Sequence, residues 1–416
     1  MRVYYHTFGC KANQYDTEVV RQALAALGAE SVTDVDQADL AVVNSCTVTH
    51  VGEAKMRGLV RRLSRRRPGI KTVVMGCAAA VDDGTIATLP GVTGVVRGAD
   101  AKQVVRALGL TPAPFDPVLR AFPHGSRGWL KVQDGCDEHC TFCATRIARG
   151  VHRSRPEHEI VAEAQALAER HEELVVTGVH IGTYGADRPP ETLGRLMERL
   201  IAEVPRVRFR LSSVEATEVD GRLIDLMTNA PDRFAPHLHA PLQSGSDRIL
   251  KRMGRHWYTA NTYAARCADI ASRLPAFGLG ADIMVGFPGE TDADHQATKV
   301  LIEALPFTYL HVFPYSERPG TAAVRLGARV DPKTVASRTA ELRALADERG
   351  RAYRRAQDGR AADVIVLGRS RGRFRGLTED YLEIYLSTDR ALPPRITGTL
   401  ALRPDGDLDL DLASTR

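Results

Sequence analysis

Three cysteines lie close together in the stretch LKVQDGCDEHCTFCATRIARG, residues 130–150. Cys136, Cys140 and Cys143 have the spacing C-x3-C-x2-C. Three thiols cannot all pair as disulfides, and they are one ligand short of the usual structural zinc site. A cubane iron–sulfur cluster takes one thiolate per iron, so three thiolates leave one iron open to another ligand. S-adenosylmethionine can ligate such an iron, and an electron from the cluster then cleaves its carbon–sulfur bond to give a radical.

Three further cysteines, Cys10, Cys46 and Cys77, each follow a short apolar run, in HTFGC, VNSC and VMGC. The runs predict buried strands and the stretches between them predict helices, a βαβ pattern that indicates a parallel sheet. The carboxyl ends of parallel strands lie at one edge of the sheet, so the three thiols should meet there. Gly9 and Gly76 precede two of these thiols and would let the backbone approach a ligand closely.

The alternative for these three cysteines is that they are buried and pack as small apolar residues. Their repetition at the end of three successive strands argues against it. The remaining cysteine, Cys267, lies in AARCADI on a predicted helix face, and there ordinary packing is the favoured interpretation.

The alternation of elements predicts an α/β protein with several domains. Residues 1–110 form the parallel-sheet domain, and the proline-rich segment 111–125 is a linker. Residues 126–352 repeat strand and helix and predict a partial (β/α)6 barrel, whose site lies at the carboxyl ends of its strands. Residues 357–416 predict a small antiparallel, OB-like β barrel. The candidate strands of the partial barrel are 129–133, 173–179, 208–214, 237–243, 279–286 and 308–315.

Composition limits the class of protein. The chain has 416 residues, a net charge of +5 and 26% charged residues, which suits a globular protein and is compatible with a nucleic-acid partner. Neither an apolar run of about 18 residues nor a signal peptide is recognised, so no membrane span and a cytoplasmic location are expected. In a reducing compartment, clustered cysteines indicate metal binding or catalysis.

Taken together, the two cysteine triads resemble those of the radical S-adenosylmethionine (SAM) enzymes, and within them the methylthiotransferase family, over nearly the whole chain. The resemblance implies two [4Fe–4S] clusters. Cys136, Cys140 and Cys143 would hold the cluster that cleaves SAM, and Cys10, Cys46 and Cys77 an auxiliary cluster that carries the transferred sulfur. All six would thus be catalytic metal ligands. One SAM molecule would methylate the sulfur and a second would generate the 5′-deoxyadenosyl radical. Zinc at residues 136–143 becomes a weak competitor.

The same resemblance implies SAM-binding residues at successive strand ends, although each isolated motif is more often an ordinary turn. Phe142 would flank the adenine, TGVHIG (177–182) would approach the methionine moiety, and LSSVEA (211–216) would bind the ribose. The turns after PLQ and in DIMVGFPGET follow the next strands. The implied contacts are Phe142, Thr177, Gly178, Ser213, Glu215, Gln243 and Asp282. One departure follows Cys143, where Ala144, Thr145 and Arg146 replace an apolar pair and a proline common in relatives. Cluster ligation should survive this change, and no substrate contact is predicted for Thr145 or Arg146.

Three stretches resemble the group of the family that acts on N6-threonylcarbamoyladenosine at position 37 of the tRNA anticodon loop: HTFGCKANQYDTE (6–18), GVHIGTYG (178–185) and HVFPYSERPGTAA (311–323). The alternatives are isopentenyl-adenosine 37, an aspartate of a ribosomal protein, or a non-catalytic iron–sulfur protein that binds RNA. An electron donor and a sulfur source are further implied partners.

Basic residues predict where RNA would bind. KMRGLVRRLSRRRPG (55–69) carries Arg57, Arg61 and Arg65 on a predicted helix, for which a solvated helix face is the alternative. Arg149 follows the cysteine loop. In the C-terminal segment, which resembles an RNA-binding TRAM domain, basic residues surround Phe374, although the acidic PDGDLDLDL (404–412) weakens that assignment. These basic residues are Arg369, Arg371, Arg373 and Arg375.

Overall fold

The computed structural model describes residues 1–47, 50–123, 125–370, 372–388 and 390–412. The described chain divides into two compact units. The first contains residues Met1–Leu119, Gln133–Arg153 and Ser316–Arg325, and the second contains Arg120–Val132, Ser154–Tyr315 and Leu326–Arg416. Both cysteine triads therefore belong to the first unit.

The secondary-structure elements follow in chain order. The strands are β1 (Arg2–Thr7), β2 (Glu30–Val32), β3 (Leu40–Ser45), β4 (Lys71–Gly76), β5 (Val92–Arg97), β6 (Arg127–Lys131), β7 (Gln133–Asp134), β8 (Arg153–Ser154), β9 (Glu173–Thr177), β10 (Arg208–Leu211), β11 (His237–His239), β12 (Gly278–Val285), β13 (Tyr309–Pro314), β14 (Ala361–Ser370), β15 (Arg373–Thr378), β16 (Glu383–Leu386), β17 (Arg395–Leu402) and β18 (Leu408–Asp411). The helices are α1 (Lys11–Ala25), α2 (His50–Arg66), α3 (Cys77–Val81), α4 (Ala101–Ala107), α5 (Thr145–Arg149), α6 (Glu157–Ala168), α7 (Leu193–Glu203), α8 (Gly221–Asn229), α9 (Asp247–Arg252), α10 (Ala260–Ser272), α11 (Asp292–Ala304) and α12 (Pro332–Ala356). Short 3-10 turns lie at Val35–Gln37, Ile181–Thr183, Ala216–Glu218 and Ala322–Arg325.

The first unit is built on a parallel sheet with strand order β2-β1-β3-β4-β5. The three strands predicted in front of the cysteines are confirmed as β1, β3 and β4. All six residues of β3 are buried, which explains its uninterrupted apolar run. Apolar residues of α1 and α4 pack on one face of the sheet, and those of α2 pack on the other. This arrangement fixes the carboxyl edge at which β1, β3 and β4 end.

The central strands of the second unit form two parallel three-stranded sheets, with orders β10-β9-β6 and β11-β12-β13. A parallel bridge between Ser213 and His239 joins the two sheets. The result is the predicted partial barrel of six parallel strands. Each predicted barrel strand is found, displaced at its ends by a few residues.

The C-terminal strands close into a β barrel with the order β14-β15-β16-β18-β17. Its neighbouring pairs are antiparallel except β16–β18, which is parallel. Leu382, Ile384, Leu400 and Leu408 lie in its core. The small β barrel expected after residue 357 is thereby confirmed, with its parallel pair as the difference.

A buried ion-pair cluster connects the two barrels of the second unit. Glu173, the first residue of β9, is paired with Arg127, Arg208 and Arg210 at 2.7, 2.8 and 2.9 Å. Arg210 also donates to the Thr378 carbonyl of the C-terminal barrel at 2.9 Å. Burial raises the pKa of Glu173, but the three guanidinium groups outweigh it and hold that pKa well below its ordinary value. The Glu173 carboxylate is therefore ionised inside the protein, and its negative charge is compensated by the guanidinium groups around it.

Candidate active site

The first cysteine triad lies where the sheet argument predicts, at the carboxyl ends of β1, β3 and β4. Cys10 is the N-cap of α1, Cys46 follows β3, and Cys77 is the first residue of α3. The thiols of Cys10 and Cys77 lie 3.4 and 3.9 Å from Asn13 Oδ1. Burial raises the pKa of the Cys77 thiol, which is about 11 because the lowering effect of Arg149 and the raising effect of charge on Cys10 and Cys46 act against each other. The three thiols therefore share one site.

Two glycines beside this triad are required by the conformation and packing of the protein itself. Gly76 has φ +97°, and a Cβ there would lie 2.2 Å from Asn44 Oδ1 and 2.6 Å from the Ser45 carbonyl oxygen. Gly9 has φ +109°, and a Cβ there would lie 3.1 Å from the Cys46 Cβ. Left-handed backbone and absence of space together select glycine before both cysteines.

Asn13 organises the triad from α1, and the sequence analysis assigned it no role. Its Nδ2 donates to Asn44 Oδ1 and the Ser45 carbonyl, both at 3.0 Å, and to the Phe8 carbonyl at 3.2 Å. These donations fix the amide so that Oδ1 faces the thiols. The sequence CKANQYD could have indicated this role, because Asn13 is three positions after Cys10 and residues at that spacing lie on the same face of a helix.

The second triad occupies a loop closed at its base by a hydrogen bond from the Cys136 N–H to the Gly150 carbonyl at 3.1 Å. The Thr145 hydroxyl and N–H lie 3.0 and 3.4 Å from the Cys143 sulfur, so both can donate to its thiolate. Thr145 thus faces a cysteine predicted to ligate the cluster, while Arg146 reaches the Asp137 carbonyl at 3.3 Å. Thr145, one of the residues that depart from the family pattern, therefore lies next to the Cys143 sulfur.

Arg149 does not lie on an RNA-facing surface. Its side chain is only 7% exposed and is paired with Asp16 at 2.9 Å and with Asp134 at 3.1 Å. A guanidinium held by two carboxylates in the interior is unavailable to phosphates, so the prediction that Arg149 binds RNA is wrong. Other arginines flank Arg149 in TRIARGVHRSR, and this basic stretch gives no sequence signal that one of them is buried.

Both cysteine sets have the chemistry that [4Fe–4S] clusters need. Each offers three cysteine thiols, and none of these six cysteines is in a disulfide. N–H or O–H donors lie near the sulfurs of Cys77 and Cys143, as is usual for cluster ligands. Three thiolates per site match clusters with one open iron.

The residues predicted to bind SAM, apart from Phe142 of the first unit and Asp282 in the interior of β12, lie at or just beyond strand ends of the second unit. Thr177 is the buried last residue of β9 and Gly178 follows it. Ser213 is exposed just beyond β10. Gln243 follows β11, is buried and has φ +64°. Successive strand ends therefore present these groups at the carboxyl side of the partial barrel, as expected from the fold.

Two of these side chains carry buried oxygens that suit a ligand. Glu215 pairs with Arg255 through Oε1, while its Oε2 is buried without a hydrogen-bond partner among the described residues. In the described part of the chain, Gln243 Oε1 is likewise buried and unpaired. Such atoms are costly unless a ligand donates to them, so the site fits a molecule with hydroxyl or amino donors, as SAM has. Arg255, 40 residues from Glu215, was not predicted.

Asp282 accepts from two histidines, which the sequence analysis did not select. His239 Nε2 and His311 Nδ1 each lie 3.2 Å from Asp282 Oδ1. The Tyr309 hydroxyl lies 3.1 Å from His239 Nδ1. Burial raises the pKa of Asp282, but hydrogen bonds from the two histidines outweigh it and lower that pKa below its ordinary value. The histidines in HLHA and LHVF, in two predicted strands, were the available signal.

The remaining predicted RNA-binding residues differ in their surroundings. Arg57 pairs with Glu53 at 2.9 Å, whereas Arg61 and Arg65 are exposed on α2. Arg373 stacks over the Tyr385 ring at 4.4 Å. Arg371 lies outside the described residues. Among the described helices, none has the length and apolar character needed to cross a membrane.

Comparison with known proteins identifies the relatives of this chain. Residues 2–98 match the family described as uncharacterized protein family UPF0004, and residues 130–302 match the radical SAM superfamily. The threonylcarbamoyladenosine tRNA methylthiotransferase MtaB of Bacillus subtilis is 34% identical over 92% of this chain and 89% of its own length. MtaB of Thermotoga maritima is 36% identical over 86% and 85%. The tRNA-2-methylthio-N(6)-dimethylallyladenosine synthase of Roseobacter denitrificans is 34% identical over 90% and 89%.

A solved structure supports the fold. The radical SAM methyltransferase TsrM from Kitasatospora setae aligns with a TM-score of 0.59 at 15% identity, over 77% of this chain and 76% of TsrM. At this identity the likeness concerns the architecture alone.

Proposed function

Because this chain belongs to the family of radical SAM methylthiotransferases, we propose that it replaces the C2 hydrogen of N6-threonylcarbamoyladenosine 37 in tRNA with a methylthio group. The observation that carries the proposal is the assembly of two cysteine triads in one unit, in a chain related to enzymes named for this reaction. A second candidate is the dimethylallyl-adenosine substrate, because a relative named for it is 34% identical over nearly as much of the chain.

The residues divide the work as follows. When bound, the clusters and SAM supply the reducing electron, the radical and the methyl group. Cys136, Cys140 and Cys143 would hold the cluster that cleaves SAM. Glu215 and Gln243, with their buried unpaired oxygens, would orient SAM at the strand ends. The triad that begins at Cys10 would hold the auxiliary cluster.

The tRNA would contact exposed arginines of the first unit. Arg61 and Arg65, one helical turn apart on α2, would neutralise phosphates of the anticodon stem. Arg373 of the C-terminal barrel would add a basic and aromatic contact together with Tyr385. An electron donor and a sulfur source would come from other molecules, and the reaction would take place in the cytoplasm, where tRNA is found.

The test is mass spectrometry of nucleosides from total tRNA of cells with and without the gene. Loss of the 2-methylthio threonylcarbamoyl nucleoside, restored by the gene, would support the proposal. Loss of the dimethylallyl analogue instead would support the second candidate, and no change in either would reject both.

Two alanine variants distinguish the proposed roles of the two cysteine triads. Cys46→Ala is expected to keep SAM cleavage, measured as 5′-deoxyadenosine, and to lose methylthio transfer. Cys140→Ala is the matched variant in the other triad and is expected to lose both. Transfer that survives Cys46→Ala would contradict the auxiliary role.

A further inference from the structure

Arg149 connects the two cysteine triads within the first unit. Its Nε lies 3.4 Å from the Cys77 sulfur, and its Nη2 donates to Asn13 Oδ1 at 2.8 Å. The same side chain pairs with Asp16 on α1 and with Asp134 in front of the second cysteine loop. Arg149 itself ends α5, directly behind that loop.

The geometry leaves little freedom to the guanidinium. The donors of a guanidinium have a fixed, planar arrangement. In Arg149 the Nε–H faces the Cys77 sulfur, and the two terminal nitrogens face oxygens of Asn13, Asp16 and Asp134. Asp16 and Asn13 are 4% and 1% exposed, so two of the three acceptors that hold this orientation are themselves buried. The sulfur contact is therefore defined by the surrounding protein.

Hydrogen bonds and positive charge at a cluster sulfur favour the reduced cluster, because reduction adds negative charge. We propose that Arg149 is a positioning residue that raises the reduction potential of the auxiliary cluster by donating its Nε–H to the Cys77 thiolate. Since Arg149 follows the other triad, the same side chain fixes the second cysteine loop beside the auxiliary site. The inference rests on the proposed assignment of Cys10, Cys46 and Cys77 to the auxiliary cluster.

The experiment measures the potential directly, without turnover. In a chain in which Cys136, Cys140 and Cys143 are replaced by alanine, only the auxiliary cluster is reconstituted. Its midpoint potential is measured by anaerobic redox titration with electron paramagnetic resonance detection. Arg149→Gln removes the charge and the Nε–H, and Arg146→Gln, in the same helix, is the matched control.

The expected result is a lower potential for Arg149→Gln. At a fixed applied potential, the ratio of reduced to oxidised cluster should fall by about tenfold, equivalent to about 59 mV for one electron. Arg146→Gln should leave the potential unchanged. An unchanged potential in cluster-loaded Arg149→Gln would overturn the inference and leave Arg149 a purely structural ion pair.

A second variant, Arg149→Lys, is measured in case Arg149→Gln does not retain the cluster. Arg149→Lys keeps the charge but cannot present the same fork to sulfur and carboxylates, so a smaller fall in potential is expected. If Arg149→Lys matches the unsubstituted arginine, the specific role of the guanidinium Nε–H is refuted, because a positive charge at this position is then sufficient. Failure of the parent chain to bind any cluster would instead reject the auxiliary-cluster assignment, which separates that failure from this one.

Discussion

Replacement of Glu173 by glutamine should destabilise the second unit more than any surface substitution. Glu173→Gln keeps the size of the side chain but removes the one carboxylate that Arg127, Arg208 and Arg210 share. Arg208 and Arg210 are 0% and 1% exposed, so water cannot replace the lost charge. Removing one partner of a buried ion pair costs about 3–5 kcal/mol.

That magnitude is large against a total stability of about 5–15 kcal/mol. One kcal/mol changes the melting temperature of a domain of 150–250 residues by about 2–4 °C. We therefore expect the melting temperature to fall by about 6 °C or more, measured by differential scanning fluorimetry on anaerobic protein. Glu169→Gln, an exposed position with the same charge change, is the control and should stay within about 0.5 kcal/mol of the parent.

The effect should also depend on pH. Because the folded-state pKa of Glu173 is depressed below 4.5, its stabilisation is fully present above that value and is lost as pH falls through the folded pKa. The difference in unfolding free energy between parent and Glu173→Gln should thus be constant from about pH 7 to pH 5 and shrink at lower pH. Equal stability of the two proteins at neutral pH would refute the argument that the arginines depend on this carboxylate.

Three further substitutions test separate parts of the site. Gly76→Ala should destabilise the first unit by at least about 1–3 kcal/mol and lower the iron bound per chain, because a Cβ has neither space nor suitable backbone there; normal iron content would contradict this. The double variant Arg61→Ala, Arg65→Ala should weaken tRNA binding in a filter-binding assay and reduce the slope of log K against log salt by about 1–2. Arg66→Ala should change neither quantity, because the Arg66 side chain is already paired with two aspartates. Gln243→Leu should weaken SAM binding by about fivefold or more, measured by equilibrium dialysis. The melting temperature should not fall, since the Gln243 Oε1 has no hydrogen-bond partner within the described protein. An unchanged affinity for SAM would show that Gln243 does not belong to the SAM site.

Elements with strong local patterns could be predicted from the sequence. The cysteines after β1, β3 and β4 follow strands that contain the short apolar runs VYY, LAVV and VVM, and the topology of parallel strands brings the strand ends to one edge. Strands β2 and β5 were missed because β2 has three residues, two of them exposed, and β5 is only partly buried. Neither presents the apolar run that identifies a buried strand.

Partners that depend on long-range packing could not be predicted. Arg149 is a charged residue with no neighbouring pattern, and only the fold shows that Asp16, 133 residues earlier in the chain, neutralises it in the interior. Glu215 was selected for the ribose, whereas one of its oxygens is committed to Arg255. The sequence also placed residues 133–153 in the central domain, although they pack in the first unit.

The discontinuous first unit has a consequence for synthesis of the protein. Its segments end at residues 119, 153 and 325, so the unit cannot be complete until residue 325 has emerged from the ribosome. At about 5–20 residues per second, the nascent chain carries the sheet for about 10–40 s before its last segment is available. During this interval Cys10, Cys46 and Cys77 are already translated, and the third segment, Ser316–Arg325, is still missing. The unit that contains all six cysteines of the two triads is consequently completed late, after translation of most of the chain.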